Sequence, residues 1–130
     1  MIPARIYADL VGKPFAEGGR GPAFDCVGLA VEFQRRRGIG TPMYLSDEVE
    51  LHRQIAAGGA LDDCHRLDAA EPGCYVLLRS FEEGERHIGV MVDPYRMLHS
   101  RREVGSVLEV LSRSVWARRV IGFYRAEVAA

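Results

Sequence analysis

From Cys74 to Arg125 the sequence falls into short apolar runs, CYVLLRS, HIGVMVD, RMLHS, SVLEVL and VIGFYR, separated by glycine, proline and charged residues. Each run has strand length, and β-branched and aromatic residues recur in them, so this half predicts the strands of an antiparallel sheet. The first half has a different period. From Asp25, DCVGLAVEFQRRRG places Val27, Ala30, Val31 and Gln34 on one side of a helix, with Leu29 and Phe33 beside them. Asp25 suits the N-cap, Arg35, Arg36 and Arg37 suit the negative C-terminal end, and Gly38 suits the stop. A second helix is expected from Ser46 to Gly59, and a short one from Pro3 to Val11. Between Gly12 and Phe24 the glycines and prolines are too dense for anything but a loop, and residues 61–72 read as an irregular connector. Helices first and a meandering sheet second make an α+β fold, with residues 1–130 as a single domain.

Composition narrows what such a domain can do. At 48% hydrophobic and 27% charged residues the chain can bury a core. A formal net charge of -1 argues against a nucleic-acid partner, which calls for a basic excess. No apolar run approaches the ~20 residues of a membrane span. Arg5 and Asp9 interrupt what would have to be the core of a secretory signal, so synthesis in the cytoplasm without a signal peptide is expected. Cys26, Cys64 and Cys74 are odd in number and lack CxxC spacing, which argues against a disulfide framework, a redox dithiol or structural zinc. No metal and no organic cofactor are expected. The arginine runs at 35–37, 101–102 and 118–119 read as solvated faces balanced by nearby acids.

One cysteine stands where a thiol can work. Cys26 directly follows the expected N-cap, and the first turn of a helix offers backbone N–H groups and a partial positive charge that stabilise a thiolate. The same N–H groups suit the oxyanion of an acyl-transfer intermediate. The glycine-rich loop before it lets a substrate backbone approach. Two histidines supply the matching base. Asp93-Pro94-Tyr95 reads as a hairpin turn, and Asp93 lies midway between His87 and His99. In a hairpin centred there, the histidines face each other across adjacent strands on one face. One could then orient the other for proton abstraction from Cys26. His52 and His65 read as surface residues.

These residues have a family likeness. The stretch PFAEGGRGPAFDCVGLAVEFQRRRGI resembles the PY..GG…DCSGLV…..GI signature of the NlpC-type cell-wall cysteine peptidases, a branch of the papain-like fold. HIGVMVDPYRMLHS resembles that family's HVGIYLGNGKMIHA segment, and the order Cys…His…His differs from that of its circularly permuted relatives. The resemblance implies Cys26 as nucleophile, His87 as general base and then acid, and His99 as the third, orienting member of a Cys-His-His triad. It implies a substrate-binding role for Asp25 and for the positions of Phe15 and Val27. Phe15 stands where the family has a Tyr that assists the oxyanion, and Val27 where it has a substrate-contacting Ser. Such enzymes cleave amide bonds in peptidoglycan stem peptides, commonly between γ-D-glutamate and diaminopimelate. With Val27 in the signature, the chain is similar to the short versions from phage-tail gene clusters. The implied partner is then a peptidoglycan peptide or a phage tail protein, and the implied location a virion tail. A tail-assembly component with the same fold and little chemistry is the alternative, and an acyltransferase using the same thioester a third reading.

Overall fold

The computed structural model describes residues 2–40, 64–82 and 84–126. The helix expected from Ser46 to Gly59, with His52, lies outside the described residues. Helix α1 runs Cys26–Arg36, and Asp25 caps it by accepting a hydrogen bond from the Gly28 N–H at 2.6 Å. It stops where expected: Arg37 is the C-cap and Gly38 follows at φ +75°, a left-handed turn that glycine adopts without strain. The helix buries Val27, Leu29 and Phe33 completely and packs on the sheet through the strands Arg86–Met91 and Arg96–Arg101. Each such side chain contributes about 1.5–3 kcal/mol of apolar burial.

Six strands form the sheet: β1 Cys64–Leu67, β2 Tyr75–Arg79, β3 Arg86–Met91, β4 Arg96–Arg101, β5 Gly105–Val110 and β6 Val120–Ala126. Their spatial order is β1-β6-β2-β3-β4-β5, with every neighbouring pair antiparallel. The α+β class and the strands expected in the second half are therefore as read from the sequence. Strand alternation divides the core in two. Tyr75, Leu77, Ile88, Val90 and Leu98 face α1, whereas Val76, Leu78, Met91 and Met97 pack on the other side with Trp116.

Two local expectations need correction. The connector at 61–72 contains a strand, because Cys64–Leu67 pairs with Phe123–Ala126 of β6. An edge strand needs only one partner and no apolar alternation, and here that partner is remote in sequence, so CHRL carries no local strand signal. The segment Pro3–Val11 is two 3-10 turns, Ala4–Ile6 and Ala8–Leu10, broken at Tyr7 (φ -128°, ψ -12°). Tyr7 leaves helical geometry with its ring buried in the core and its hydroxyl 3.3 Å from Arg96 Nη2. The Arg36 guanidinium clamps these turns to α1 by donating to both carboxylate oxygens of Asp9, at 2.6 and 3.1 Å.

Candidate active site

The loop Gly12–Phe24 is held so as to deliver Cys26 to one end of the sheet. Gly12 N–H donates to the Ser106 carbonyl, and Ser106 N–H returns a bond to the Lys13 carbonyl at 2.9 Å, which docks the loop on β5. At the loop's other end the buried Ser100 hydroxyl donates to the Phe24 carbonyl at 2.8 Å. Ser100 adjoins His99, so this bond ties the residues before Cys26 to the strand that carries a histidine.

Asp25 is almost fully buried, and its carboxylate accepts from the N–H of Gly28, the N–H of Gly18 (3.0 Å) and Arg20 Nη1 (3.0 Å). It fastens the glycine-rich loop to the start of α1 while also lining the cleft below. Val27 has no exposed surface and belongs to the core cluster, so the position after Cys26 serves packing and not the cleft. A β-hydroxyl there would have no reason to exclude water, but an isopropyl group pointing between helix and sheet does.

A cleft of about 260 Å³ opens where α1 begins, β3 begins and β4 ends. Cys26, half-buried, and His87 both line it, as does Phe15, whose ring lies 5.5 Å from the Arg102 guanidinium. His87 Nε2 is 2.8 Å from His99 Nδ1, so the two imidazoles share a hydrogen bond as the sequence suggests. The register differs by two residues from that expectation. The ladder pairs Val90 with Leu98 and Met91 with Met97, which centres the hairpin on Pro94, not Asp93. The Asp93 carboxylate accepts from the N–H groups of Tyr95 and Arg96, and this turn chemistry places the reversal. The histidines are thus diagonal neighbours on one face, still within ring-to-ring reach.

Two residues complete the arrangement that the sequence did not single out. Trp116 stacks on His87 with ring centroids 4.7 Å apart and planes at 21°, and meets His99 edge-on at 5.6 Å. Glu109 of β5 accepts at Oε2 from His99 Nε2 at 2.6 Å. Trp116, the chain's one tryptophan, sits in an irregular segment without strand or helix period, and Glu109 is a single carboxylate within an apolar run. Neither position has a local signal that ties it to a histidine.

Burial pushes the His87 imidazole well below its ordinary value of 6.5, helped by His99 and Arg101. His99 is also lowered, by burial above all, against an opposing pull from Glu109. Both rings are therefore neutral at neutral pH, which is the state a base needs. The same burial would disfavour an imidazolium at His87 unless an anion stood beside it. The same shifts bear on stability. Unfolded imidazoles take up protons below about pH 6.5 that the folded ones refuse, so acidification favours unfolding. Between pH 6.5 and 5 the urea midpoint should fall, each histidine costing up to ~1.4 kcal/mol per pH unit. Carboxylates held low, such as Glu32 at about 2, contribute only below their ordinary 4.5, outside this window. A flat midpoint from pH 6.5 to 5, or one that falls equally in His87→Asn, would contradict the buried neutral pair.

Three comparisons place the chain among known proteins. Residues 12–125 match the model of the NlpC/P60 family. No curated protein matches the sequence. Among solved structures, a lipoprotein-like NLP/P60 protein of Staphylococcus aureus superposes with a TM-score of 0.68 at 22% identity, covering 97% of this chain and 40% of that one. NlpC2 of Trichomonas vaginalis gives 0.68 at 18%, covering 95% and 44%. An NlpC/P60 family protein of Bacillus cereus gives 0.66 at 21%, covering 97% and 41%. At such identities the likeness is one of fold, and the chain spans about two fifths of the length of these structures. Matched by the family model over almost all of its length, the chain belongs to the NlpC/P60 family, whose members are generally cell-wall peptidases of the cysteine type.

Proposed function

We propose that the chain is a thiol hydrolase of an amide bond in peptidoglycan stem peptides, of the γ-D-glutamyl–diaminopimelate type. One observation carries this reading: Cys26 at the first turn of α1 and His87, hydrogen-bonded to His99, line the same cleft. His87 takes the Cys26 proton, and the thiolate adds to the scissile carbonyl. The backbone N–H groups at the start of α1 hold the oxyanion, a role in which Phe15 has no hydroxyl to assist. His87 returns the proton to the departing amine, leaving a thioester. It then deprotonates the water that hydrolyses the thioester to a carboxylate and restores the thiol. The cleft is lined by Arg86, Arg101 and Arg102 together with Glu82, Glu85 and Glu103. That mixed lining suits a substrate with both free carboxylates and an amine, as stem peptides have.

A phage-tail setting, with a tail protein as an added substrate, rests on the resemblance at Val27. A fold kept for assembly alone has no use for a buried His87–His99 pair held against Trp116, and the pair's retention favours chemistry.

Alkylation with iodoacetamide from pH 5 to 9, mapped by mass spectrometry, tests the reading without a substrate. Cys26 should label first, already at pH 6, and more slowly in His87→Ala. Cys74, whose thiol burial pushes up to about 11, should stay unlabelled in the folded protein. Labelling of Cys26 no earlier than Cys74 would overturn the proposal.

A further inference from the structure

We propose that Glu109 is a positioning residue that acts through His99 to decide which nitrogen of His87 carries its proton. The inference rests on His87 as the base and adds the group that sets its tautomer. The three side chains form a diagonal row over β3, β4 and β5. Glu109 pairs with Met97 and His99 with Val107, so Glu109 stands one diagonal step from His99, as His99 does from His87.

With both rings neutral, the hydrogen bonds of this row can be ordered in only one way. A carboxylate accepts and cannot donate, so the 2.6 Å contact requires a hydrogen on His99 Nε2. With His99 neutral, its Nδ1 then has a lone pair and must accept. The 2.8 Å contact therefore takes its hydrogen from His87 Nε2. His87, also neutral, is left with its lone pair on Nδ1, the nitrogen not engaged by His99 and the one available to a thiol. When His87 takes that proton, the positive charge lies at the end of a chain already polarised toward Glu109. Without Glu109, His99 can turn its proton to Nδ1 and donate to His87 Nε2. That places the His87 proton on Nδ1 and blocks the base. Around the row stand Arg101, 5.7 Å from the Trp116 ring, and Arg86 in the cleft lining. Neither supplies an acceptor, so Glu109 alone among these neighbours can impose the order.

Glu109 is one-third exposed on β5, so its replacement leaves the core intact. The test uses two-bond 1H–15N spectra of the histidine rings at pH 7.5, together with the Cys26 alkylation rate. In wild type both His87 and His99 should appear as Nε2–H tautomers. In Glu109→Ala both should become mixtures. In Glu109→Lys, where an ammonium can only donate, they should shift toward Nδ1–H. Alkylation of Cys26 should slow about twofold in Glu109→Ala and roughly tenfold in Glu109→Lys, part of the ~10²–10⁴ that a positioned base supplies. Unchanged tautomers in both variants would overturn the proposal, whatever happens to the rate. Shifted tautomers in a protein that cleaves no stem peptide would leave the role of Glu109 standing and remove the hydrolase reading.

Discussion

Cys26→Ala is expected to remove the proposed stem-peptide hydrolysis altogether, and His87→Ala to lower its kcat/KM by about 10³-fold, within the ~10²–10⁴ a positioned general base contributes. The His87→Ala loss should fall on kcat with KM little changed, because the imidazole is not needed to hold the ground-state substrate. The alanine at 26 leaves the capping carboxylate of Asp25 and the helix start untouched, since the cap bond goes to the Gly28 N–H. The loss therefore reports the missing nucleophile and not a disordered loop. His87→Ala keeps the nucleophile but takes away the proton acceptor, so its residual rate should rise with pH as the thiolate forms unaided. His99→Ala should cost less than His87→Ala: it removes the hydrogen bond that orients the base and leaves the base itself. Chromatography of a purified muropeptide digest, with liquid-state unfolding to confirm each variant is folded, gives the comparison. Full turnover by Cys26→Ala would remove the thiol mechanism.

Gly28→Ala should destabilise the protein by about 3 kcal/mol, the upper end of what an extra methyl costs in a packed interior. Helix propensity argues the other way, favouring alanine over glycine by about 1 kcal/mol. The local geometry decides between them. A Cβ on Gly28 would stand 1.9 Å from the Gly19 carbonyl oxygen, a backbone atom that cannot swing aside. To make room, the glycine-rich loop must lift off α1. That lift also breaks the 3.0 Å bonds from the Gly18 N–H and from Arg20 Nη1 to the Asp25 carboxylate. Urea unfolding at pH 7.5 measures the difference, and alkylation of Cys26 should slow in the same variant as the loop moves. Equal or higher stability would mean that the loop and helix are not in contact.

This contact also explains why the glycine two residues after Cys26 belongs with the glycines before it. Helix start, cap and loop form one unit, stitched by bonds that mostly join residues within ten positions of one another. Such short-range chemistry is legible in a sequence. So were the α1 boundaries, the strands of the second half, and the pairing of His87 with His99, all of which follow from capping preference, residue period and hairpin spacing. The hairpin was misplaced by one residue. Its centre depends on where the Asp93 carboxylate finds backbone donors, and either position of the turn preserves a shared face for the histidines.

What only the tertiary structure decided lies beyond the reach of period and spacing. Strand β1 exists because β6 offers it an open edge. Val27 lies in the core because α1 turns that side to the sheet, which the residue after a nucleophile does not reveal by itself. Trp116 reaches His87 from a segment without regular structure, and Glu109 reaches His99 across a strand boundary. The sequence by itself determined a capped helix with a thiol at its start, an antiparallel sheet and two histidines within reach of each other. The order of protons on those histidines falls to a carboxylate, and their burial to an indole, that only the packed sheet brings to them, because hydrogen-bond order and burial are properties of the assembled neighbourhood and not of any one segment.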